Sequence, residues 1–304
     1  MNFKRCLLLA VVCSFLGLPW MLHAEEKSAT VSEPAQTAAA TVSEEKPTVD
    51  FTTYALSKYI WRGYENTRNS IVIQPSMTVG YKGFSFNIWG TLDTKPYSTA
   101  DINYSSTWTE TDLTLAYTKT FGKVNAGIGY IYYGLGAANP GGIKPPDSQE
   151  VYATVGLNTV LNPTLTVYKE IDHYKQWYFL LGISHAIEIN QIVSLKLAAS
   201  AAYLKSGYAD AALYNGGGGY GGYPKFTDQY SATNEKFDNF HDGLISVALP
   251  IAAAKYITVT PIVYYSFPLS NDAKNEIKAR GKLANSAEND ASNFFGGVGL
   301  TLAF

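Results

Sequence analysis

Residues 293–304, with the sequence NFFGGVGLTLAF, predict the fold class. Large apolar side chains alternate along this stretch with small or polar ones. One face carries Phe294, Val298, Leu300, Leu302 and Phe304, and the other carries Asn293, Gly297, Gly299, Thr301 and Ala303. A period of two residues with a single apolar face indicates a half-buried β-strand. The same period recurs upstream, so the sequence predicts a protein built from such strands.

Segments of roughly ten residues with this alternation occur twelve times, which is the signature of transmembrane barrel strands. Their predicted starts lie near residues 51, 71, 84, 109, 123, 149, 164, 176, 191, 241, 256 and 293. After residue 24 no run of about 18 apolar residues occurs, so no helical membrane span is expected. The fold class predicted is all-β, a single antiparallel transmembrane barrel of about 12 strands.

The connections between these strands alternate in length. Tight links fall at 81–83, 120–123, 159–163, 188–191 and 250–255. Long polar links fall at 63–70, 93–108, 134–148, 206–240 and 268–292, and only the short link at 173–175 breaks the rule. Short turns at one end, long loops at the other and an even strand count are typical of outer-membrane barrels. We expect both termini and the tight turns in the periplasm.

A soluble β-sandwich also alternates in polarity, and it is the competing architecture. It would bury its aromatic residues in a core. Here the 23 Tyr, 14 Phe and 5 Trp cluster near the ends of the runs, as at 130–133 and 177–179. Aromatic girdles at two membrane interfaces account for this placement better than a core does.

The amino terminus predicts export. Two positive charges precede an apolar run at 6–22, as in a secretory signal peptide. We expect a signal peptide at 1–24, a disordered periplasmic leader at 25–49 and the barrel at 50–304. A retained anchor is the alternative for the first segment, and a peptidoglycan or partner contact is the alternative for the second. Localisation in the bacterial outer membrane follows.

The composition excludes several kinds of functional site. Both cysteines, Cys6 and Cys13, lie in the predicted signal peptide, so no disulfide or thiolate site is expected. Residues 51–304 carry 19 basic and 19 acidic groups, which argues against a nucleic-acid partner. After the predicted signal peptide three histidines remain, and no two of them have the spacing of metal ligands. The sequence contains neither the G-x-S-x-G motif of a nucleophile elbow nor the lysine of a Walker motif. The sequence therefore predicts a protein that is not an enzyme and has no cofactor.

Several charged residues point inward in the predicted register. They are Lys58, Asp112, Glu150, Glu170, Asp172 and Lys196, with Arg62 near the outer rim. Ionised groups are costly on a lipid-facing surface, so these charges indicate a wet or mutually paired interior. They either line a solute path or form cross-barrel salt bridges. Lys169 falls on the outward face, where it either reaches the membrane interface or marks a bulge.

The segment 57–63 (SKYIWRG), followed by 74–76 (QPS) and 83–89 (GFSFNIW), resembles the TorF-like porin family of Gram-negative bacteria. The resemblance continues through 112–133, 162–185 and the final strand. It implies an outer-membrane, porin-like barrel. The closing strand, which ends at Phe304, is expected to engage the barrel assembly machinery.

The leading functional hypothesis is a porin-like channel for passive diffusion of small hydrophilic solutes. Twelve strands lie between the eight whose interior side chains fill and the sixteen or more that leave an open channel. We therefore expect a narrow pore, or one partly plugged by the loop at 206–240. The alternative is a non-conducting structural or adhesive barrel that acts through its outer loops. The expected partners are outer-membrane lipid and small solutes.

Overall fold

The structure is a computed structural model that describes residues 46–67, 70–95, 106–136, 146–209, 221–285 and 290–304. The predicted signal peptide and all but the end of the leader lie outside these residues. The strands in chain order are β1 Thr48–Leu56, β2 Ile60–Trp61, β3 Tyr64–Glu65, β4 Val72–Tyr81, β5 Phe84–Asp93, β6 Thr107–Phe121, β7 Val124–Leu135, β8 Ser148–Leu157, β9 Thr164–Glu170, β10 Trp177–Glu188, β11 Ser194–Lys205, β12 Pro224–Phe226, β13 Ala232–Lys236, β14 Asp238–Ala248, β15 Ile251–Ala254, β16 Ile257–Pro268 and β17 Asn293–Ala303. One helix, α1, spans Asn271–Asn285.

Twelve strands close into an antiparallel barrel. Each pairs with its neighbours in the order β1, β4, β5, β6, β7, β8, β9, β10, β11, β14, β16 and β17, and β17 returns to β1. The short strand β15 continues β14 along β16 after a break at 249–250. The predicted twelve-stranded barrel is confirmed, and it begins slightly early, because Val49 already exchanges backbone hydrogen bonds with Phe304.

The exterior of the barrel is apolar. The side chains that point away from the lumen are exposed on every face of the wall, including Phe86, Leu115, Ile128, Val155, Leu181 and Val263. A soluble protein rarely exposes so large a continuous apolar surface, whereas a barrel in lipid requires one. The barrel therefore spans a membrane. No helix within the described ranges is long and apolar enough to cross a bilayer.

The tight turns lie together at one end, at 82–83, 122–123, 158–163, 189–193 and 255–256. The longer connections lie at the other end, and three of them carry secondary structure in the described residues. The connection from β1 to β4 holds the hairpin β2–β3, and the one from β11 to β14 holds the hairpin β12–β13. The connection from β16 to β17 holds helix α1, which packs on β3, β12, β14 and β16. The hairpin β2–β3, strand β12 and the buried face of α1 form a plug inside the barrel.

The plug and the upper part of the wall, toward the longer connections, share a core. It is largely aromatic and lies inside the barrel rather than between two sheets. Its buried members include Tyr64, Tyr133, Tyr168, Tyr178, Tyr223, Phe237 and Ile277. Ring pairs such as Tyr168–Tyr178, with centroids 6.1 Å apart, connect neighbouring strands across this surface. Part of the aromatic content that the sequence analysis assigned to membrane girdles thus lies in the interior.

Candidate functional site: the charged plug

The hairpin β2–β3 carries a charged residue at its tip. Arg62 and Gly63 form the two-residue turn, with φ of 47° and 82°, the conformation that a tight hairpin of this kind requires. The added Cβ of any larger residue at Gly63 would lie 3.0 Å from Ile277 of α1 and 3.1 Å from Asp242 of β14. The tip is therefore pressed between the helix and the wall.

Arg62 binds the far wall of the barrel. Its two terminal nitrogens donate to the two carboxylate oxygens of Glu150 on β8, at 2.8 and 2.7 Å. The hydroxyl of Tyr133 donates to the same carboxylate at 2.8 Å. Because β8 is the fifth strand from β1 around the wall, this bidentate pair spans the interior. It is a strong, geometrically specific interaction.

Aromatic rings enclose the same guanidinium. Its central carbon lies 4.6 Å from the ring centroid of Trp61 and 4.1 Å from that of Tyr178. Burial alone would lower the pKa of Arg62, but Glu150 outweighs burial and raises it well above its usual range. Arg62 is therefore a permanent cation in an aromatic cage.

A second polar network holds α1. His241 lies between two acids, with Nδ1 2.8 Å from Asp242 Oδ1 and Nε2 3.3 Å from Glu276 Oε2. The Glu276 carboxylate also pairs with Arg280 one turn along the helix. Burial alone would raise the pKa of Glu276, but Arg280 and His241 hold it below its ordinary value. The network fixes the inner face of α1 against β14.

A bulge explains why two adjacent residues of β14 both point inward. The pairing with β11 shifts by one residue between Gly243 and Phe240, so His241 and Asp242 are both buried. An extra residue on one strand re-aims a side chain in this way. The hydroxyl of Tyr178 then donates to Asp242 at 2.9 Å. This network therefore contacts the ring that also stacks on Arg62.

A third contact fixes the base of the β2–β3 hairpin. The ammonium of Lys58 donates to Glu65 and to Asn293, each at 2.8 Å. Glu65 belongs to the hairpin and Asn293 opens β17, so Lys58 ties the plug to the strand that closes the barrel. Its side chain keeps 19% of its surface exposed.

The remaining predicted residues are placed differently. Glu170 is buried and accepts hydrogen bonds from Ser148 at 3.0 Å and from the backbone N–H of His173 at 2.7 Å, so it shapes the turn after β9. Asp172 departs from the prediction because β9 ends before it. It lies in that turn and accepts from Gln149, whose side chain alternates with that of Glu150 and points to the opposite face.

Lys196 and Asp112 do point inward. Lys196 lies near the tight-turn end of β11, and no hydrogen bond or ion pair engages its ammonium within the described residues. Asp112 is buried beside Glu110 on β6. The seven predicted residues therefore do not form one cluster. Arg62 and Glu150 meet each other, and the backbone N–H of Asp172 donates to Glu170 at 3.1 Å, whereas Lys58, Asp112 and Lys196 each have different neighbours.

Lys169 lies where the membrane meets water. Neither pairing of β9 contains a register shift, which removes the bulge alternative. The residue is the last but one of the strand, and its ammonium lies 5.0 Å from the ring centroid of Trp177 and donates to the carbonyl of Lys175 at 3.2 Å. A long cationic side chain that reaches the interface in this way costs little.

The lower interior, toward the tight turns, has a different character. Its inward side chains are small and polar, and many keep part of their surface exposed, among them Thr52, Ser76, Thr78, Thr114, Thr154 and Thr301. Some bond to each other across strands, as Thr154 does with Thr166 at 3.0 Å. Aromatic rings fill the upper interior, and hydroxyl groups line the lower interior.

Neither the histidine network nor the helix was predicted from the sequence. The signals available were the adjacent acidic and basic residues 241–242 after a long loop and the helical spacing of Glu276 and Arg280. Neither signal is specific, because the contact requires both the bulge in β14 and the inward fold of the loop that carries α1.

Comparisons with known proteins address the fold. No family model matches the sequence, and no curated protein matches it, so the TorF-like resemblance stays a prediction. Among solved structures the chain is similar to the NanC porin, at 10% identity, a TM-score of 0.46 and coverage of 84% of this chain and 98% of that one. It is also similar to the COG4313 outer membrane channel from Pseudomonas putida F1, at 8% identity, a TM-score of 0.44 and coverage of 90% and 100%.

A third similar structure corrects one prediction. LpxR from Salmonella typhimurium matches at 6% identity and a TM-score of 0.40, with coverage of 84% of this chain and 99% of that one. The prediction that the chain is not an enzyme is wrong, because the outer-membrane barrels that are similar to this chain include enzymes. The closed wall and its apolar exterior identify the chain as an outer-membrane β-barrel of porin-like architecture.

Proposed function

We propose that the barrel is a channel for passive diffusion of small hydrophilic solutes. One observation carries the proposal: the lower interior is lined by small hydroxyl side chains that remain partly exposed, which a purely structural wall does not need. A polar lining beside a charged constriction is how pores combine passage with selection.

The plug sets the size of the path. Arg62 and Glu150 span the interior above the hydroxyl-lined region, and α1 occupies the β14 side of the lumen. A solute must pass beside this pair or displace the hairpin that carries Arg62. The proposal therefore predicts low conductance in the wild type and a larger path when the pair is broken.

The test compares the wild type with Arg62→Met in planar bilayers and in a liposome-swelling series of sugars, amino acids and organic anions. We expect small discrete conductance steps from the wild type and larger steps from the variant. Lys205→Met is the matched control, because its ion pair with Asp238 lies on the exposed outer rim, and it should conduct like the wild type. Silent bilayers and unswollen liposomes for all three proteins would exclude the channel.

A second candidate is a structural or adhesive barrel, which the close packing of the plug favours. Phe237 and Ile277 of the plug are fully buried, and a filled lumen suits a protein whose work is done by its outer loops. Removing residues 210–220 from the longest outer connection tests this candidate. Surface binding that disappears while the barrel folds normally would support it, and unchanged binding would contradict it.

A further inference from the structure

Two buried acids differ from all the others that the structure describes in the barrel interior. Each of the others has a basic or N–H partner: Glu65 with Lys58, Glu150 with Arg62, Glu276 with Arg280, Asp242 with His241, and Glu170 and Asp93 with backbone N–H groups. Glu110 and Asp112 lie two residues apart on the inward face of β6, so their side chains are neighbours on one face of the strand. Within the described ranges neither has a cationic partner.

Unpaired polar atoms surround these acids. Gln74, Thr91 and Glu110 lie side by side across β4, β5 and β6, since Thr91 pairs with Glu110 and the β4–β5 register places Gln74 opposite Thr91. Asp112 Oδ1, Thr91 Oγ1 and Gln74 Nε2 are all buried, and none has a hydrogen-bond partner among the residues that the structure describes. Their residues are 3%, 0% and 2% exposed. Three such atoms on neighbouring strands are unusual in a folded protein.

A buried carboxylate without a counter-charge is strongly unfavourable, and the two ionised carboxylates carry two negative charges. Two protons would neutralise the pair but leave Thr91 Oγ1 and Gln74 Nε2 unpaired. One proton shared by the carboxyl groups and one monovalent cation with a water of hydration neutralise both charges and satisfy all of these atoms: the carboxyl and hydroxyl oxygens bind the ion, and the water accepts the amide N–H.

From this arrangement we infer that Gln74, Thr91, Glu110 and Asp112 form a binding site for a small monovalent cation such as K⁺. The ligands are all oxygen atoms, which suits a hard cation. No group of three His, Cys, Asp or Glu residues in the described part of the chain could hold a metal ion, so tight coordination of a transition metal is not expected. The hydroxyl of Tyr59 donates to Glu110 at 3.0 Å and covers the site from the hairpin side.

The site also gives the proposed channel a preference for cations, and this role rests on the proposed function. The existence of the site does not, because binding can be measured without conduction. The test uses the full chain folded in detergent, and it compares its apparent melting temperature in KCl and in tetramethylammonium chloride at equal ionic strength. Tetramethylammonium has the same charge as K⁺, but it is too large for the site and its methyl groups prevent coordination by oxygen atoms.

We expect KCl to raise the apparent melting temperature of the wild type by about 2 to 4 °C over tetramethylammonium chloride. Asp112→Asn and Thr91→Val should each abolish this difference, and Thr91→Val does so with both carboxyl groups intact. Asp172→Asn, which changes a carboxylate in the turn after β9, should keep it. If Asp112→Asn does not fold, Thr91→Val alone decides the result.

Equal melting temperatures of the wild type in the two salts would overturn the inference and leave protonation of both acids as the explanation. Loss of the melting-temperature difference in Asp172→Asn would also overturn the inference, because the effect of K⁺ would then come from surface charge. Liposome swelling separates the two proposals. Swelling without a K⁺ effect contradicts the cation site alone, and a K⁺ effect without swelling contradicts the channel alone.

Discussion

Arg62 at the tip of an inserted hairpin and Glu150 on the opposite wall are joined by two hydrogen bonds of 2.8 and 2.7 Å across the barrel interior. Their side chains retain only 8% and 2% of their exposed surface. A buried ion pair of this kind fixes one arrangement of the plug, because either partner alone would be an uncompensated charge in the interior.

Breaking this pair from one side should be costly. Arg62→Met leaves Glu150 buried with Tyr133 as its one remaining donor among the described residues, and we expect a loss of about 3 to 5 kcal/mol in the free energy of unfolding. Urea unfolding in detergent, followed by circular dichroism, measures it. The double variant Arg62→Met with Glu150→Gln should recover most of the loss, since no charge is then left unpaired. A double variant as unstable as the single one would contradict this account.

Gly63 should tolerate no side chain. Its φ of 82° is strained for any other residue, and an added Cβ meets Ile277 at 3.0 Å. Gly122→Ala is the matched control: its φ is 62°, and nothing lies within 4 Å of the added carbon. We expect Gly122→Ala to cost about 1 to 2 kcal/mol and Gly63→Ala to cost more. Urea unfolding of both variants decides this, and equal losses would show that the tip is not tightly packed.

The attachment of α1 should weaken in acid. Burial alone would raise the pKa of Glu276, but Arg280 and His241, which face it, hold the pKa below its ordinary 4.5. A group with a depressed folded-state pKa contributes its full stability above its unfolded value and loses it as pH falls through the folded value. Cleavage of residues 271–285 by pepsin should therefore accelerate as pH falls below 4.5.

Two variants test that explanation. Glu276→Gln should be cleaved readily at every pH in the series, because the charged pair is already lost. Asp272→Asn removes a partly exposed carboxylate from the same helix, and its cleavage should follow the wild-type pH profile. Acid-induced cleavage that is unchanged in Glu276→Gln would assign the effect to another group.

The position of Lys169 predicts that the cost of an outward-facing lysine depends strongly on its depth in the membrane. Because its ammonium already lies at the interface over Trp177, Lys169→Leu should change the free energy of unfolding by no more than about 1 kcal/mol. Leu181 lies on the same outer face, deeper in the wall beside Leu165, and Leu181→Lys should cost about 2 to 4 kcal/mol. Unfolding in lipid vesicles measures both, and similar losses would mean that Lys169 is lipid-buried.

Sequence periodicity predicted the strands of the wall well, because the alternation within each strand distinguishes its lipid-facing residues from its inward-facing ones. The predicted starts at 71, 84 and 293 compare with Val72, Phe84 and Asn293 in the structure. What was missed lies in contacts between distant segments. Arg62 and Glu150 are 88 residues apart, and nothing local in either segment indicates that the loop turns into the barrel. The predicted inward position of Asp172 was wrong because the predicted strand continued two residues beyond the end of β9 at Glu170, into a polar turn.

Closure of the wall has a consequence for how the chain is assembled. Thr52 of β1 and Thr301 of β17 share a hydrogen bond at 3.0 Å although 249 residues separate them. Until β17 arrives, β1 presents an open row of backbone donors and acceptors, the kind of edge that pairs readily with another chain. Productive folding therefore depends on shielding one early segment until a late one is delivered, and any delay between them favours aggregation.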